Sequence, residues 1–328
     1  MKEEIIEVEE KIDKPTLEYD KAKIYKRLLA TFIDLFIIVI LTFAAFSLSN
    51  MAIKYFPFYI DIIDRKTELE VDSNLFTEDH QSIIDYTKNE EVFKTYTEKK
   101  DYLKDKINLF YTSDFVEDKT EALKEYDERK LAYKVDNISL FEYKNNEVIE
   151  RSEKPEYYYT FYQNEINDQC LKTLYNNVDY ISCTQKIFLT SLVNFVIWLI
   201  VFFTIFYLLI PLVFFKRGRQ TIGMKIFRIG LIDGNALNIS IGKYFLRYGF
   251  LLFVMLILDF FAFLLPLIVS ISMMYFTKTS QDLVDYIFNN YMVDVKNSEI
   301  YLNYLEYIDR EETKKKVKLE NKDFNITK

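Results

Sequence analysis

Glycine and proline are scarce in this chain, with six and five among 328 residues. Their scarcity excludes collagen-like repeats, proline-rich linkers and low-complexity tracts, and leaves little material for loops that cradle phosphates. One histidine and two cysteines exclude most metal clusters. Basic residues are outnumbered, 42 Lys plus Arg against 50 Asp plus Glu, for a formal charge of −8. A nucleic-acid partner held by bulk positive charge is therefore excluded. No nucleophile elbow, phosphate loop or metal-spaced ligand set occurs, so the chain is expected not to be an enzyme and to need no cofactor. What is abundant is apolar: half of the residues are hydrophobic and 17% are aromatic. The mean hydropathy of −0.05 looks soluble only because it averages two unlike materials.

Residues 28–53 contain one charge, Asp34, and residues 187–215 contain none. Each tract exceeds the roughly 20 apolar residues that carry a helix across about 30 Å of hydrocarbon. Core helices of a soluble protein would show a polar stripe instead. A third tract, 248–277, holds only Asp259. The expected fold class is an α-helical integral membrane protein with four spans, three being the alternative, and the lipid bilayer is its first partner. The first tract is too long for a signal-peptide core, and the residues before it are acidic, so it is expected to stay as an anchor. Lys21, Lys23, Lys26 and Arg27 precede the first span, and Lys216, Arg217, Arg219, Lys225 and Arg228 follow the second. Both flanks, and the N-terminus, are thereby assigned to the cytoplasm of a multi-pass cell-membrane protein. Residues 54–186 then lie outside; they carry 19 basic and 29 acidic residues, net −10, against +2 for the rest.

The chain divides accordingly into an acidic cytoplasmic tail (1–23), a first transmembrane helix (24–53), an inserted extracytoplasmic domain (54–186) and a second transmembrane helix (187–215). A basic cytoplasmic loop (216–240), a transmembrane hairpin (241–277) and a cytoplasmic C-terminal segment and tail (278–328) follow. The hairpin requires a bend near Asp259. Basic residues at both ends of the tract, Lys243 and Arg247 before it and Lys278 after it, favour that bend over a single span. Two full crossings need about 40 residues, so both arms would be of marginal length.

The insert reads as a mainly helical α+β domain. Residues 82–106 and 118–133 are charged, lack glycine and proline, and space their apolar residues as helices do. Residues 134–151 alternate around Asn145 and Asn146, as a β-hairpin would. Cys170 and Cys183 close the domain and, outside the membrane, are expected to form a disulfide. His80 reads as a surface residue. The aromatics Tyr157, Tyr158, Tyr159, Phe161 and Tyr162 read as core and interface packing, with a partner-binding patch as the alternative.

Asp34 lies seven residues after Arg27, on the same helix face and about 10 Å along the axis. A charge at that depth needs a partner, water or a proton. An ion or proton site and a packing pair with Arg27 or another polar residue stand as equal readings. Asp259 would be solvated at the tip of a hairpin, or buried in a single span. Ser191, Asn194 and Thr204 read as helix-to-helix hydrogen bonds.

After the second span the chain runs Lys216-Arg-Gly-Arg-Gln220-Thr221-Ile-Gly223-Met-Lys225-Ile-Phe-Arg228-Ile. A short strand is expected over Ile226–Ile232, with a turn at Asp233-Gly234. Together with Arg27-Leu-Leu-Ala-Thr-Phe-Ile-Asp34, Ile232-Asp-Gly234, Ser240-Ile-Gly242, Arg247, Gln281 and Asp285, this pattern resembles the RDD family of membrane proteins, named for one arginine and two aspartates. The resemblance covers about 21–53 and 187–296. It makes Asp285 the second aspartate, with Asp259 as competitor. Met224 stands where a basic residue is usual, and Val284 replaces the histidine of many members, which removes any proton relay through that histidine. The closing run Tyr291–Val295 is expected to pair with Phe227–Ile232, and Gln281 and Asp285 to share a helix face receiving Arg228 or Lys225.

The resemblance implies a membrane protein of poorly defined role, with transport of a small ion or solute the commonest suggestion. Arg27, Asp34 and Asp285 would then form a charged cluster at the cytoplasmic end of the bundle. So few spans would need a homo-oligomer to enclose a pathway. The alternative is a membrane-anchored binding or scaffold protein whose outer domain meets a protein partner.

Overall fold

The computed structural model describes residues 19–145, 147–151 and 154–326. The acidic tail as far as residue 18, and Asn146 of the expected turn, lie outside them. The chain forms two compact units, one of residues up to Ser47 with Phe195 onward, the other of Leu48–Asn194. Helix α1 (Ile24–Ile53) starts in the first and ends in the second.

The unit Leu48–Asn194 contains α2 (Pro57–Asp72), α3 (Ile83–Tyr86), α4 (Tyr96–Tyr111) and α5 (Lys119–Ala132). Two antiparallel pairs follow, β1 (Lys134–Val135) with β2 (Ile138–Ser139) and β3 (Phe141–Lys144) with β4 (Glu147–Glu150). Then come α6 (Pro155–Glu165), a π-helical turn (Ile166–Cys170) and α7 (Leu171–Asn176). The helix expected over 82–106 is broken. The Thr95 hydroxyl accepts from the Glu98 N–H while the Glu98 carboxylate accepts from the Thr95 N–H, a reciprocal cap that starts a new helix. One hairpin was expected over 134–151 and there are two, because Asp136 and Asn137 adopt φ of 53° and 63° and turn the chain early.

The core of this unit is aromatic. Phe110, Tyr126, Tyr158 and Tyr162 are fully buried with Leu103, Ile107, Ile166 and Leu174. The tyrosine run therefore packs inward rather than forming an outer patch. Buried Glu165 accepts from the Tyr111 hydroxyl at 2.6 Å and from Arg129 Nη2 at 2.8 Å, which satisfies its carboxylate.

Helix α8 (Val178–Thr204) starts in the unit Leu48–Asn194 and ends in the other, where it continues through a π-helical turn (Ile205–Leu209) into α9 (Ile210–Val213). Among the described residues, the α8–α9 helix and α1 are the two helices long and apolar enough to cross a membrane, and only 22% of each apolar window is buried. Such exposure suits lipid contact rather than the core of a soluble protein. Ile38, Phe203 and Phe206 pack α1 against α8 and its π-turn. The Asn194 amide donates to Ser49 Oγ at 2.8 Å, and Thr204 bonds Tyr248, as expected for helix pairing.

Next come α10 (Ile222–Ile226), β5 (Ile229–Asp233) and α11 (Ile241–Phe250), which runs on through a π-helical stretch (Leu251–Leu258) to α12 (Asp259–Phe261). Phe263 and Leu264 take φ of 49° and 64°, reversing the chain into α13 (Leu265–Phe276). The last elements are α14 (Leu283–Ile287), β6 (Asn290–Asp294) and α15 (Tyr304–Ile326). Strands β5 and β6 pair antiparallel, Ile229 opposite Asp294 and Leu231 opposite Met292. The segment before α1 joins the free edge of β6, with Ala22 N–H donating to Met292 O and Asp294 N–H to Asp20 O, both at 2.9 Å.

The expected disulfide is absent. Cys170 and Cys183 are free thiols, both buried, one closing the π-turn and the other on α8. Burial pushes the Cys170 thiol up to about 12, which suppresses the thiolate that disulfide chemistry requires.

Candidate functional site

Arg27, in the first turn of α1, is 5% exposed. It donates to the Ser280 carbonyl, to Asp282 Oδ2 at 3.2 Å and to Asp285 Oδ2 at 3.4 Å. From α11, Arg247 donates to Asp285 Oδ1 through Nη2 at 2.9 Å and Nε at 3.2 Å. Asp285 is wholly buried and serves two guanidinium groups at once. Arg247 precedes the third apolar tract and Asp285 follows it, so this shared carboxylate ties the two ends of the tract together. Lys225 and Arg228 were the expected partners of Asp285 and do not reach it; Lys225 Nζ instead sits 5.4 Å above the Phe215 ring. Gln281 lies ahead of α14 rather than on it, and its Nε2 donates to Asn290 O at 2.7 Å.

Asp34 does not join that cluster. It is 1% exposed, and its carboxylate accepts from the Thr221 hydroxyl and from the Gly223 N–H at 2.7 Å. Thr221 also caps α10 by accepting from Met224 N–H, so the aspartate pins a capped turn onto α1. A Cβ at Gly223 would stand 2.1 Å from the Ala30 carbonyl oxygen; only glycine permits that approach. The expected cluster of Arg27, Asp34 and Asp285 thus separates into two docking points.

Asp259 is buried too, where a hairpin tip was expected to leave it solvated. Its Oδ1 accepts from Leu267 N–H at 2.9 Å, in the first turn of α13. Leu264, at the cap position, offers no side-chain bond, and a carboxylate from the preceding helix fills that role.

The two docked segments repeat one another 61 residues apart. Gln220 and Gln281 each donate Nε2 to a carbonyl nine residues on, at 2.6 and 2.7 Å. Thr221 and Asp282 each cap a five-residue helix. Phe227 and Phe288 close those helices, Arg228 and Asn289 take positive φ, and β5 and β6 follow. Leu231 and Met292, opposite one another at the centre of the ladder, hold equivalent places in the two segments, so a local two-fold relates them. Sequence reading missed this repeat, although Gln, Ile-Phe and their spacing recur in 220–227 and 281–288.

Against these segments lies a cavity of about 260 Å³, lined by α1, α11, α13 and the turn before α10. Its walls are mostly apolar, with Leu28, Leu231, Leu267 and Met274 among them; Arg27, Asp34, Arg219, Arg247 and Asp282 supply the charge. Arg219 is 7% exposed, and its buried Nε has no hydrogen-bond partner. Desolvation pulls its pKa below the ordinary arginine value. Sequence reading counted it only as one of several flanking cations.

A family model described as the RDD family matches residues 175–289. That match supports a membrane protein of poorly defined role. It begins after α1, yet the structure brings Arg27 and Asp34 onto matched residues at 221, 223, 282 and 285. No curated protein matches the chain, and no solved structure does.

Proposed function

We propose that the unit built from α1 and residues 195–301 is a membrane-embedded bundle that binds a small solute in this cavity and, as a homo-oligomer, passes it across the bilayer. The observation that carries the reading is the cavity itself: a mostly apolar chamber at the charged end of the bundle, with ionisable groups in its wall. Arg27, Asp34, Arg247 and Asp285 act as fasteners that hold the chamber's shape, since each already has polar partners.

In this reading α1 and α8–α9 cross the membrane with the N-terminus inside, and the third tract enters and leaves by the cytoplasmic face. From Arg247 to the turn at 262–264, and back along α13, each arm reaches about 20 Å, short of the roughly 30 Å of hydrocarbon. The tip sequence Phe-Phe-Ala-Phe-Leu-Leu-Pro is wholly apolar, which suits a tip that stays in the bilayer. Its backbone is served locally: Leu264 N–H donates to Asp259 O and Leu265 N–H to Ala262 O, which is what hydrocarbon demands of a non-helical turn. The charge distribution assigns residues 54–186 to the outside.

Reconstitution in proteoliposomes tests the transport step. Ile271→Trp, which fills the chamber, should abolish solute flux while the protein still folds; unchanged flux would remove the cavity from the pathway. The separate aromatic core of Leu48–Asn194 favours a second reading, in which that unit captures a protein partner and the bundle anchors it. Deleting residues 60–180 separates the two, because flux survives under the first reading and partner capture alone is lost under the second.

A further inference from the structure

We infer that Arg219 is the recognition group of a site for an organic oxyanion, a carboxylate or phosphate ester with a small apolar body, inside the 260 Å³ cavity. The inference rests on the solute-binding reading and names the class of solute.

The two other arginines in the wall are accounted for. Arg27 is held by Asp282, Asp285 and the Ser280 carbonyl, and Arg247 by Asp285. Arg219 differs. A guanidinium carries five N–H donors; this residue is 7% exposed, and its Nε is buried with no hydrogen-bond partner among the described residues. Leaving a buried N–H of a cation without an acceptor is unfavourable, so a stable fold that retains it points to a missing acceptor. Chain geometry does not supply another explanation. Arg219 holds φ of 42°, and its counterpart in the second segment, Ser280, holds 51°. The repeat explains that backbone path, and Ser280 follows it without any long cationic side chain.

The surroundings select the ligand. Tyr207 also lines the cavity, and the Tyr244 hydroxyl is committed to the Tyr207 carbonyl at 2.7 Å. Arg219 supplies charge-assisted donors for an oxyanion inside the cavity. Two carboxylates face the same space, and both are engaged: Asp282 with Arg27, and Asp34 with the Thr221 hydroxyl and Gly223 N–H. Leu28, Leu267 and Met274 leave the remainder of the chamber apolar, which favours a short alkyl body over a bare inorganic ion.

The test uses the full-length protein, purified in a neutral detergent, with thermal unfolding as the readout. Butyrate is one probe; nanodiscs of phosphatidylglycerol, compared with phosphatidylcholine, are the other. A saturable rise in melting temperature with butyrate, absent with chloride at equal ionic strength, supports a soluble oxyanion. A rise confined to phosphatidylglycerol supports a lipid phosphate at the same guanidinium. In either case Arg219→Gln should weaken the response about tenfold or more and raise the melting temperature without ligand, because an uncompensated charge has been removed; Arg219→Lys should fall between.

A merely structural arginine behaves in the opposite way. If Arg219→Gln lowers the ligand-free melting temperature and leaves the response intact, or if wild-type protein responds to neither probe, the site is refuted. Binding that persists without flux would overturn transport and leave this site standing; flux with no oxyanion response would do the reverse.

Discussion

Residues 220–233 and 281–294 follow the same path from glutamine to cap to short helix to strand, yet α1 holds the first with a carboxylate and the second with a guanidinium. In the first, Asp34 accepts the hydroxyl and N–H donors that a capped turn presents. In the second, Arg27 donates to the carbonyl and carboxylates of a turn that carries its own acids, Asp282 and Asp285. The sign of the fastener follows from the turn it meets. The difference also isolates Arg219: its counterpart at 280 lends a carbonyl to Arg27, whereas the buried Nε of the arginine has no partner among the described residues.

Breaking the second fastener should have the largest effect. Asp285→Ala leaves two buried guanidinium groups without their shared anion, and a loss of about 3–5 kcal/mol is expected in chemical unfolding of the detergent-purified protein. A loss under about 1 kcal/mol would mean that water reaches the cluster. The first fastener should cost less to break, because its donors are neutral: Asp34→Ala is expected to cost about 1–3 kcal/mol. Gly223→Ala should cost a similar amount through collision with the Ala30 carbonyl, and the pair should be clearly non-additive in a double-mutant cycle, since both act on one contact.

The comparison sharpens further in the unit Leu48–Asn194, where buried acids and thiols meet an aromatic core. Burial pushes the Cys170 thiol up to about 12 from an ordinary value of 9, so the folded state holds its proton longer. Stability from this group is complete below about pH 9 and is lost as pH rises toward 12. Alkylation by iodoacetamide at pH 8 should accordingly be slow until the protein is unfolded. The smallest effect belongs to Lys225→Ala, within about 0.5 kcal/mol, since this lysine fastens neither segment.

Much of the bundle was legible in the sequence. Uninterrupted apolar tracts identified α1 and α8, alternation identified β5 but started it at Ile226, the last residue of α10, rather than at Ile229, the family resemblance pointed to β6, and charge at both ends of the third tract indicated a hairpin. The partners of Arg27 and Asp34 were not legible, because they depend on contacts across 187 to 258 residues of chain. Asp34 meets Thr221 rather than Arg27 for that reason, and Asp259 turned out to be a cap rather than a solvated tip. In the other unit, a capping box split one helical pattern into two, and the cysteines stayed apart because spacing in sequence says nothing about burial.

The central claim is that both ends of the third apolar tract lie on one side of the membrane, the side that carries α10, with the acidic unit exposed on the other. Single cysteines at Lys225, Lys296 and His80, in a Cys170→Ala/Cys183→Ala background, can be probed in intact cells with a membrane-impermeant maleimide. Labelling at position 80 without permeabilisation, and at 225 and 296 only after it, is the result expected; opposite accessibility of 225 and 296 would contradict the account.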